Sequence, residues 1–381
     1  MIAVTGLGCI SAAGRGLEAS LASMAAGVRS PAPPTAFTTD HPEPCPVFEV
    51  GGFAADPALL RTSGLLAWAA REALADAGLA PEDLARLRVG VCIGTTVGCA
   101  LNDEPFCRAY RAGGHPPLEA MARILRSNPA EALARTFGCT GPLQTVVNAC
   151  ASGTDAVGLG AQWLRAGLCD VVLAGGADEL SRITYNGFRA LKITASEPCR
   201  PFDRNRTGLN LGEGAGVLVL ERPGRARARA FVAGYGTACD AYHPTAPHPE
   251  GAGLRRALAG ALEGLDPAEV AFVNAHGTAT PDNDKVEGLV LREVLPGVPF
   301  LSTKGYTGHT LGAAGALEAV FTVACLEAGR IPASAGFEEP DPALGGAVPV
   351  DRPTSVRGRL ALSQSLAFGG NNAVVAFAEA R

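Results

Sequence analysis

The sequence has little lysine, few aromatic residues and no long hydrophobic run. Of its 32 basic residues only three are lysines, Lys192, Lys285 and Lys304. Arginine is scattered, and no basic run alternates with aromatic residues, so a nucleic-acid-binding protein is not expected. The longest apolar stretches, such as residues 312–326, are shorter than the ~20 residues that span a bilayer. We therefore expect neither nucleic acid nor membrane as a partner.

The eleven cysteines form no metal-binding or disulfide pattern. They occur singly, at irregular spacing and in odd number, without a CxxC pair or a Cys/His cluster. Residues 1–5 are apolar but too short for a signal peptide, and they are more typical of a first strand. We therefore expect a cytoplasmic protein with free thiols and no metal.

The order of predicted strands and helices repeats along the chain. Residues 143–156 predict a buried strand that turns sharply into a helix, and residues 300–318 repeat this unit. Both halves also finish on a glycine-rich stretch followed by a strand. The repeat predicts an α/β fold made of two duplicated halves, residues 1–222 and residues 223–381, with helices packed between two parallel-rich sheets.

Cys150 lies at the first of these strand-to-helix turns. The unpaired N–H groups and the dipole of the following helix would lower a thiol pKa from about 8.5 toward neutrality. The position therefore predicts a nucleophile. The alternative is that Cys150, like most free cysteines, is a small buried hydrophobic residue.

Two histidines and a lysine occupy corresponding positions in the second half. His276 follows a predicted strand in a loop of small and hydroxylated residues, and His309 stands at a helix start. Lys304 precedes it in a chain that otherwise uses arginine, which indicates a need for a compact point charge. The remaining histidines lie in proline- or glycine-rich loops and are interpreted as surface residues.

Three motifs, residues 148–153, 276–281 and 304–315, resemble those of the beta-ketoacyl-[acyl-carrier-protein] synthases, the condensing enzymes of the thiolase-like superfamily. Residues 4–8, 199–203, 212–216 and 368–370 extend the resemblance over nearly the whole chain. The resemblance implies a thiolase-like fold with duplicated βαβαβ halves in five layers, α-β-α-β-α. It also implies a decarboxylative Claisen condensation of an acyl-enzyme with malonyl-acyl carrier protein.

The resemblance implies a role for each motif residue. Cys150 would hold the acyl group, and the main-chain N–H groups of Cys150 and Phe368 would form its oxyanion hole. His276 and His309 would donate hydrogen bonds to the malonyl thioester oxygen. Lys304 would hold His309 in its working tautomer.

The remaining implied roles concern substrates and partners. Glu318 would pair with the buried lysine, and Thr278 and Thr280 would contact the pantetheine arm. No cofactor is implied, because substrates arrive on the phosphopantetheine of acyl carrier protein. The implied assembly is a homodimer, or a heterodimer with a chain-length factor.

The chain departs from the family pattern in two places. Leu366 and Ala367 replace the usual first Gly-Phe of the gatekeeper loop, and Asn371 replaces a usual threonine, so loop opening and chain-length selectivity are expected to differ. The stretch near Arg61, aligned with the carrier-docking helix, has few basic residues. Arg204 and Arg206 are the other docking candidates.

Two rival functions remain at this point. A thiolase acting on coenzyme A would need a second, C-terminal cysteine, and the only cysteine after position 300 is Cys325, in an apolar helix. A non-catalytic chain-length factor would lack the nucleophile, whereas Cys150 is present. Within the synthases, the altered gatekeeper loop and the short chain favour a specialised polyketide, polyene or lipid pathway over primary fatty acid elongation.

Overall fold

The computed structural model describes residues 1–380, which form thirteen strands and twelve α-helices. The strands are β1 (Ile2–Ser11), β2 (Gly14–Arg15), β3 (Val89–Gly94), β4 (Leu143–Val146), β5 (Val171–Asp178), β6 (Gly214–Glu221), β7 (Ala230–Cys239), β8 (Val270–Asn274), β9 (Phe300–Leu301), β10 (Arg330–Ile331), β11 (Thr354–Ser355), β12 (Leu360–Ala367) and β13 (Asn371–Glu379). The helices are α1 (Leu17–Ala25), α2 (Arg61–Asp76), α3 (Pro81–Leu84), α4 (Glu104–Arg111), α5 (Glu119–Leu125), α6 (Pro129–Phe137), α7 (Ser152–Arg165), α8 (Arg182–Ala190), α9 (Ala252–Ala261), α10 (Pro281–Val294), α11 (Lys304–Thr307) and α12 (Ala314–Ala328).

The main sheet shows the expected duplication, but the expectation of two parallel-rich sheets is wrong, because the two halves join edge to edge in one mixed sheet. Its strand order is β4-β3-β5-β6-β1-β7-β13-β12-β8-β9. Read from its outer edge inward, the first half is β4, β3, β5, β6 and β1, and the second half is β9, β8, β12, β13 and β7. In each half the first two pairings are parallel and the next two are antiparallel, so the two halves have the same topology. The halves join where β1 pairs with β7.

Helices separate the two halves of the sheet and cover their outer faces. Helices α7 and α12 contact each other and strands of both halves, whereas α2 packs on β1 and β6, and α9 packs on β7 and β13. This is the expected layered α/β thiolase-like arrangement. Residues 311–328 are long and apolar enough to cross a membrane, with mean hydropathy 1.5, but 89% of this segment is buried in the fold.

The glycines Gly6 and Gly8 predict a turn after a short first strand, but the structure has no turn there. Gly6 and Gly8 lie within β1, which continues to Ser11. A Cβ atom on either glycine would come 2.0 Å from a main-chain oxygen of α2, Ala73 O or Ala69 O. These glycines therefore allow close packing of helix on strand.

Three further expectations from the sequence are wrong. The apolar pattern of residues 118–137 predicts one helix, but the structure has two, α5 and α6, because Pro129 starts a new one. Residues 184–206 are polar and rich in turn-forming residues, which predicts irregular structure, but this stretch begins within helix α8. Strand β4 is not buried: it is an edge strand in which Leu143 is 43% exposed.

Candidate active site

Cys150 lies in a tight connection between β4 and α7, as the sequence predicts. Ala149, immediately before it, has a left-handed backbone with φ of 48°. The carbonyl of Ala149 accepts hydrogen bonds from Thr96 Oγ1 at 3.2 Å and Ser152 Oγ at 2.6 Å. These contacts hold a conformation that a non-glycine residue rarely adopts, and strained backbone of this kind is common at functional sites.

The structure brings Cys150 together with both predicted histidines. The sulfur of Cys150 and ring nitrogens of His276 and His309 lie within 4.8 Å of one another. The two imidazole rings are nearly perpendicular, with centroids 5.2 Å apart. All three side chains are buried at the base of a cavity of about 330 Å³ that opens to the surface.

The thiol pKa differs from the sequence-based expectation. Burial raises the pKa of Cys150 to about 12, although the charge of Lys304 and the main-chain N–H of Phe368 both lower it. The expectation of a pKa near neutrality is therefore wrong for the unliganded site, because desolvation of the thiolate outweighs the favourable charges. The main-chain N–H of Phe368 lies within hydrogen-bond reach of the Cys150 sulfur.

Both histidines are held as neutral rings with the proton on Nε2. Burial and the charge of Lys304 hold the pKa values of His276 and His309 well below the ordinary histidine value. Nδ1 of His309 accepts the Leu311 N–H at 3.2 Å, and Nδ1 of His276 lies 3.1 Å from the ammonium of Lys304. A ring whose Nδ1 accepts must carry its proton on Nε2.

Lys304 is fully buried between two partners. It forms an ion pair with Glu318 of α12 and contacts His276. The pairing with Glu318 was expected, but the expectation that Lys304 orients His309 is wrong. The main chain of Leu311 takes that role, because its N–H donates to Nδ1 of His309 at 3.2 Å.

The two threonines line the same cavity as the catalytic cluster. Their hydroxyl oxygens, Thr278 Oγ1 and Thr280 Oγ1, are 2.8 Å apart. Thr278 is buried and Thr280 is partly exposed, and both line the cavity that has Cys150 at its base. The positions suit contacts to a long polar arm.

The gatekeeper segment packs against an aromatic residue that the sequence did not suggest. The ring of Phe368 stacks on Phe188 of α8, with centroids 5.5 Å apart, and Phe188 meets His309 edge-on at 6.5 Å. Phe188 was missed because its segment was interpreted as irregular. The three-residue spacing of Tyr185, Phe188 and Leu191, which is compatible with a helix, was the available signal.

The altered gatekeeper residues do not strain the loop. Ala367 has an ordinary extended backbone, with φ of −117°. Gly369 and Gly370 have φ of 82° and 77°, so the conformational freedom of the segment lies there. Asn371 donates to the Phe368 carbonyl at 3.2 Å and ties the closed loop to its own strand.

Asp178 is a second residue that the sequence did not suggest. Burial raises its pKa to about 6. Its carboxylate accepts four hydrogen bonds, from Thr95 Oγ1 and from the main-chain N–H groups of Thr96, Val97 and Gly312. One carboxylate therefore joins the loop after β3 to the loop that carries the second histidine.

Arg61 and Arg206, which come from the two stretches considered for carrier docking, both pair with carboxylates of the fold. Arg61 forms a bidentate pair with buried Glu213. The side chain of Arg206 is 6% exposed and pairs with Asp341. Both guanidinium groups are committed inside the fold, whereas Arg204 remains exposed.

A thiolate and two imidazoles are also zinc ligands. The Cys150, His276 and His309 cluster meets that description by composition and spacing. The buried ammonium of Lys304 beside His276 repels a divalent cation, however. The expectation of a metal-free site stays a prediction.

Comparisons with known proteins agree with this geometry. Residues 1–226 match the family model "Beta-ketoacyl synthase, N-terminal domain", and residues 229–338 match "Beta-ketoacyl synthase, C-terminal domain". The chain belongs to the beta-ketoacyl synthase family. Its members are acyltransferases that carry out the condensation step of fatty acid or polyketide synthesis.

Individual relatives come from both kinds of pathway. The 3-oxoacyl-[acyl-carrier-protein] synthase 2 of Synechocystis sp. is 34% identical, over 99% of this chain and 97% of its own. The ishigamide ketosynthase/chain length factor structure has a TM-score of 0.92 at 34% identity, covering 99% of this chain and 98% of its own. The AntDE:AntF structure, a type II polyketide carrier protein in complex with its ketosynthase, has a TM-score of 0.91 at 27% identity, covering 100% and 99%.

Proposed function

We propose that this protein condenses an acyl group held on Cys150 with a malonyl group on acyl carrier protein, and releases beta-ketoacyl-acyl carrier protein. The observation that carries the proposal is the convergence of Cys150, His276 and His309 at one cavity base, with both rings held as Nε2 donors. A nucleophile and two neutral donors are what the two half-reactions need.

In the first half-reaction the Cys150 sulfur attacks the carbonyl carbon of the acyl thioester. The developing oxyanion accepts hydrogen bonds from the N–H groups of Cys150 and Phe368. The bond to the pantetheine sulfur then breaks, and the proton of the Cys150 thiol ends on the departing carrier thiol. The acyl group remains covalently bound to the enzyme.

In the second half-reaction a malonyl thioester loses carbon dioxide. The electron pair of the broken bond forms an enolate, whose oxygen accepts hydrogen bonds from Nε2 of His276 and Nε2 of His309. Each such hydrogen bond lowers the activation free energy of this step by about 3 kcal/mol. The enolate carbon attacks the acyl carbonyl, a carbon–carbon bond forms, and the Cys150 sulfur leaves as a thiolate, which takes a proton from water to restore the thiol.

The supporting side chains act through these groups. Lys304 keeps Nδ1 of His276 as an acceptor, so Nε2 must donate, and Glu318 compensates the buried charge. Thr278 and Thr280 contact the pantetheine arm. The protein needs no resident cofactor, because the carrier's phosphopantetheine holds both substrates.

The partner in assembly is a second synthase-like subunit. Strand β4 is paired on one side only within residues 1–380, and Val147, which follows it, is 67% exposed. An unpaired edge strand with exposed apolar side chains is a surface that another chain covers. We propose a homodimer, or a heterodimer with a chain-length factor of the kind in the ishigamide structure.

The site disfavours the two rival functions. The thiolase reading needs a second reactive cysteine, yet Cys325 lies inside α12, and burial raises its pKa to about 12. A non-catalytic chain-length factor needs no assembled nucleophile and donors, and this chain has both. The eleven free cysteines fit a reducing compartment, so we place the protein in the cytoplasm.

The test is acyl transfer followed by extension. The purified protein is mixed with acetyl-, hexanoyl- or decanoyl-loaded carrier, and then with malonyl-carrier, while intact mass is recorded. We expect an acyl adduct on Cys150, carbon dioxide release and a product longer by one two-carbon unit. Cys150→Ala should abolish the adduct, and Cys107→Ala, which removes an exposed thiol, should not.

Two outcomes would change the proposal. An adduct that forms only after a chain-length-factor partner is added would establish an obligate heterodimer. No adduct with any donor, alone or with a partner, would rule out the synthase function.

A further inference from the structure

Lys192 has an unusual electrostatic position at the mouth of the catalytic cavity. It is the only lysine or arginine among the residues that line this cavity. The other residues there with a full charge, Asp240 and Asp282, are acidic. Any anionic group that approaches the mouth therefore meets one cation, and that cation is Lys192.

A second hollow lies next to the cavity and shares Lys192 with it. Two cationic side chains, Arg189 and Lys192, line this hollow together with the hydroxyl groups of Thr194, Ser196 and Thr207. Hydroxyl donors combined with lysine and arginine are the groups that bind phosphate oxygens. The hollow thus has the chemistry of a phosphate site.

The two positive charges have no carboxylate partner within residues 1–380. The Arg189 guanidinium donates to the Glu43 carbonyl at 3.3 Å, contacts the Cys45 thiol, and lies over the Tyr185 ring at 5.9 Å. Lys192 is exposed and forms no ion pair in that part of the chain. Both charges remain available to an anion.

The backbone of Lys192 supports a functional reason for this residue. It follows the end of α8 with a left-handed φ of 58°, a position where glycine is usual. The chain has 48 glycines and only three lysines, yet a lysine stands here. A long charged side chain at a left-handed position, where glycine is usual, indicates a use for the charge.

We propose that this hollow binds the phosphate group of the carrier's phosphopantetheine arm, with Lys192 as the positioning residue. The inference rests on the proposed synthase function. The reacting thioester must reach Cys150 at the cavity base, and the phosphate is at the opposite end of the arm. The arm's outer end therefore lies at the mouth, where Lys192 joins cavity and hollow.

The test compares two small donors that differ only in the phosphate, hexanoyl-pantetheine and hexanoyl-4′-phosphopantetheine. The readout is the ratio of their kcat/KM values for acylation of Cys150. One charge-assisted contact at a partly exposed site predicts a ratio of ~5 in favour of the phosphorylated donor. Lys192→Gln should lower this ratio to about one, and Lys192→Arg should retain most of it.

Two further variants separate binding from folding. Lys192→Gly relieves the left-handed strain, so it should also abolish the preference while thermal stability stays the same or rises. Lys285 is the other exposed lysine and lies on α10, so Lys285→Gln should keep the full ratio.

The outcomes distinguish this inference from the proposed function. A ratio that persists in Lys192→Gln, or that is near one in the wild type, would overturn the phosphate site. If Lys192→Gln slowed acylation by intact acyl-carrier but not by the small donors, the lysine would contact acidic side chains of the carrier protein. That result would also overturn the phosphate site. Failure of both donors and of acyl-carrier to acylate the wild type would reject the synthase function itself.

Discussion

Equivalent strand ends in the two halves of the sheet carry different chemistry. The turn after β4 in the first half presents Cys150, the proposed nucleophile, and the connection after β9 in the second half, which contains α11, presents His309. The residues following β3 are the threonines bonded to Asp178, whereas His276 follows β8. The same arrangement of strands occurs twice. The proposed attacking atom, the Cys150 sulfur, lies in one copy, and the proposed hydrogen-bond donors, the rings of His276 and His309, lie in the other.

This division predicts that the two half-reactions can be separated by mutation. Cys150→Ala should lower condensation by about 10⁴-fold or more, because no acyl-enzyme forms. Decarboxylation of malonyl-carrier should continue, since His276 and His309 belong to the other half. Carbon dioxide release and product mass, measured in parallel, check this, and loss of both activities would show that the halves do not act separately.

Variants of the two histidines should slow only the second half-reaction. His276→Ala and His309→Ala should each lower condensation ~10²- to 10³-fold, because one enolate donor is lost. The acyl adduct on Cys150 should still form. Pre-steady-state acylation followed by malonyl addition measures the two steps, with the exposed His115→Ala as control. An acylation defect as large as the condensation defect would contradict the assignment.

The buried ion pair of the second half should couple stability to chemistry. Lys304→Met should destabilise the fold by about 3 kcal/mol, because it leaves Glu318 buried without a cation. Adding Glu318→Gln should restore much of that stability but not condensation, since Nδ1 of His276 still lacks its donor. Urea unfolding and product formation provide the two readouts. If the double variant recovered both stability and condensation, Lys304 would have no role in the reaction.

The nucleophile of the first half should remain a thiol near neutral pH. Because its pKa is raised to about 12, the thiolate fraction should grow about tenfold for each pH unit below that value. Alkylation of Cys150 by iodoacetamide should therefore accelerate without a plateau from about pH 6.5 to pH 9. Peptide mass spectrometry gives the rate, with exposed Cys107 as reference. A rate that levels off below pH 9 would indicate a thiolate already formed.

Sequence patterns were sufficient for the parts of the fold that local chemistry determines. The duplicated order, strand β8 and the turns bearing Cys150, His276 and His309 could all be predicted, because each depends on hydrophobic periodicity and nearby small residues. Gly6 and Gly8 could not be placed, since their role depends on how closely α2 approaches β1.

Features that depend on distant partners escaped prediction. The thiol pKa depends on how deeply Cys150 is buried by both halves, and the contact of Lys304 with His276 depends on how β8 and α11 meet. Asp178 contacts groups up to 134 residues away in sequence. Such contacts leave no local pattern in one sequence, so only the folded chain reveals them.

Strand β4 leads directly to Cys150 and also presents an unpaired row of backbone groups at the edge of the sheet. In a lone chain that row is a template for adding further chains, the first step of aggregation. Yield during recombinant production should therefore depend on how quickly the edge is capped. A charge placed at Val147 is the practical way to keep a lone chain in solution, and co-expression with a chain-length factor is the corresponding measure for a heterodimer.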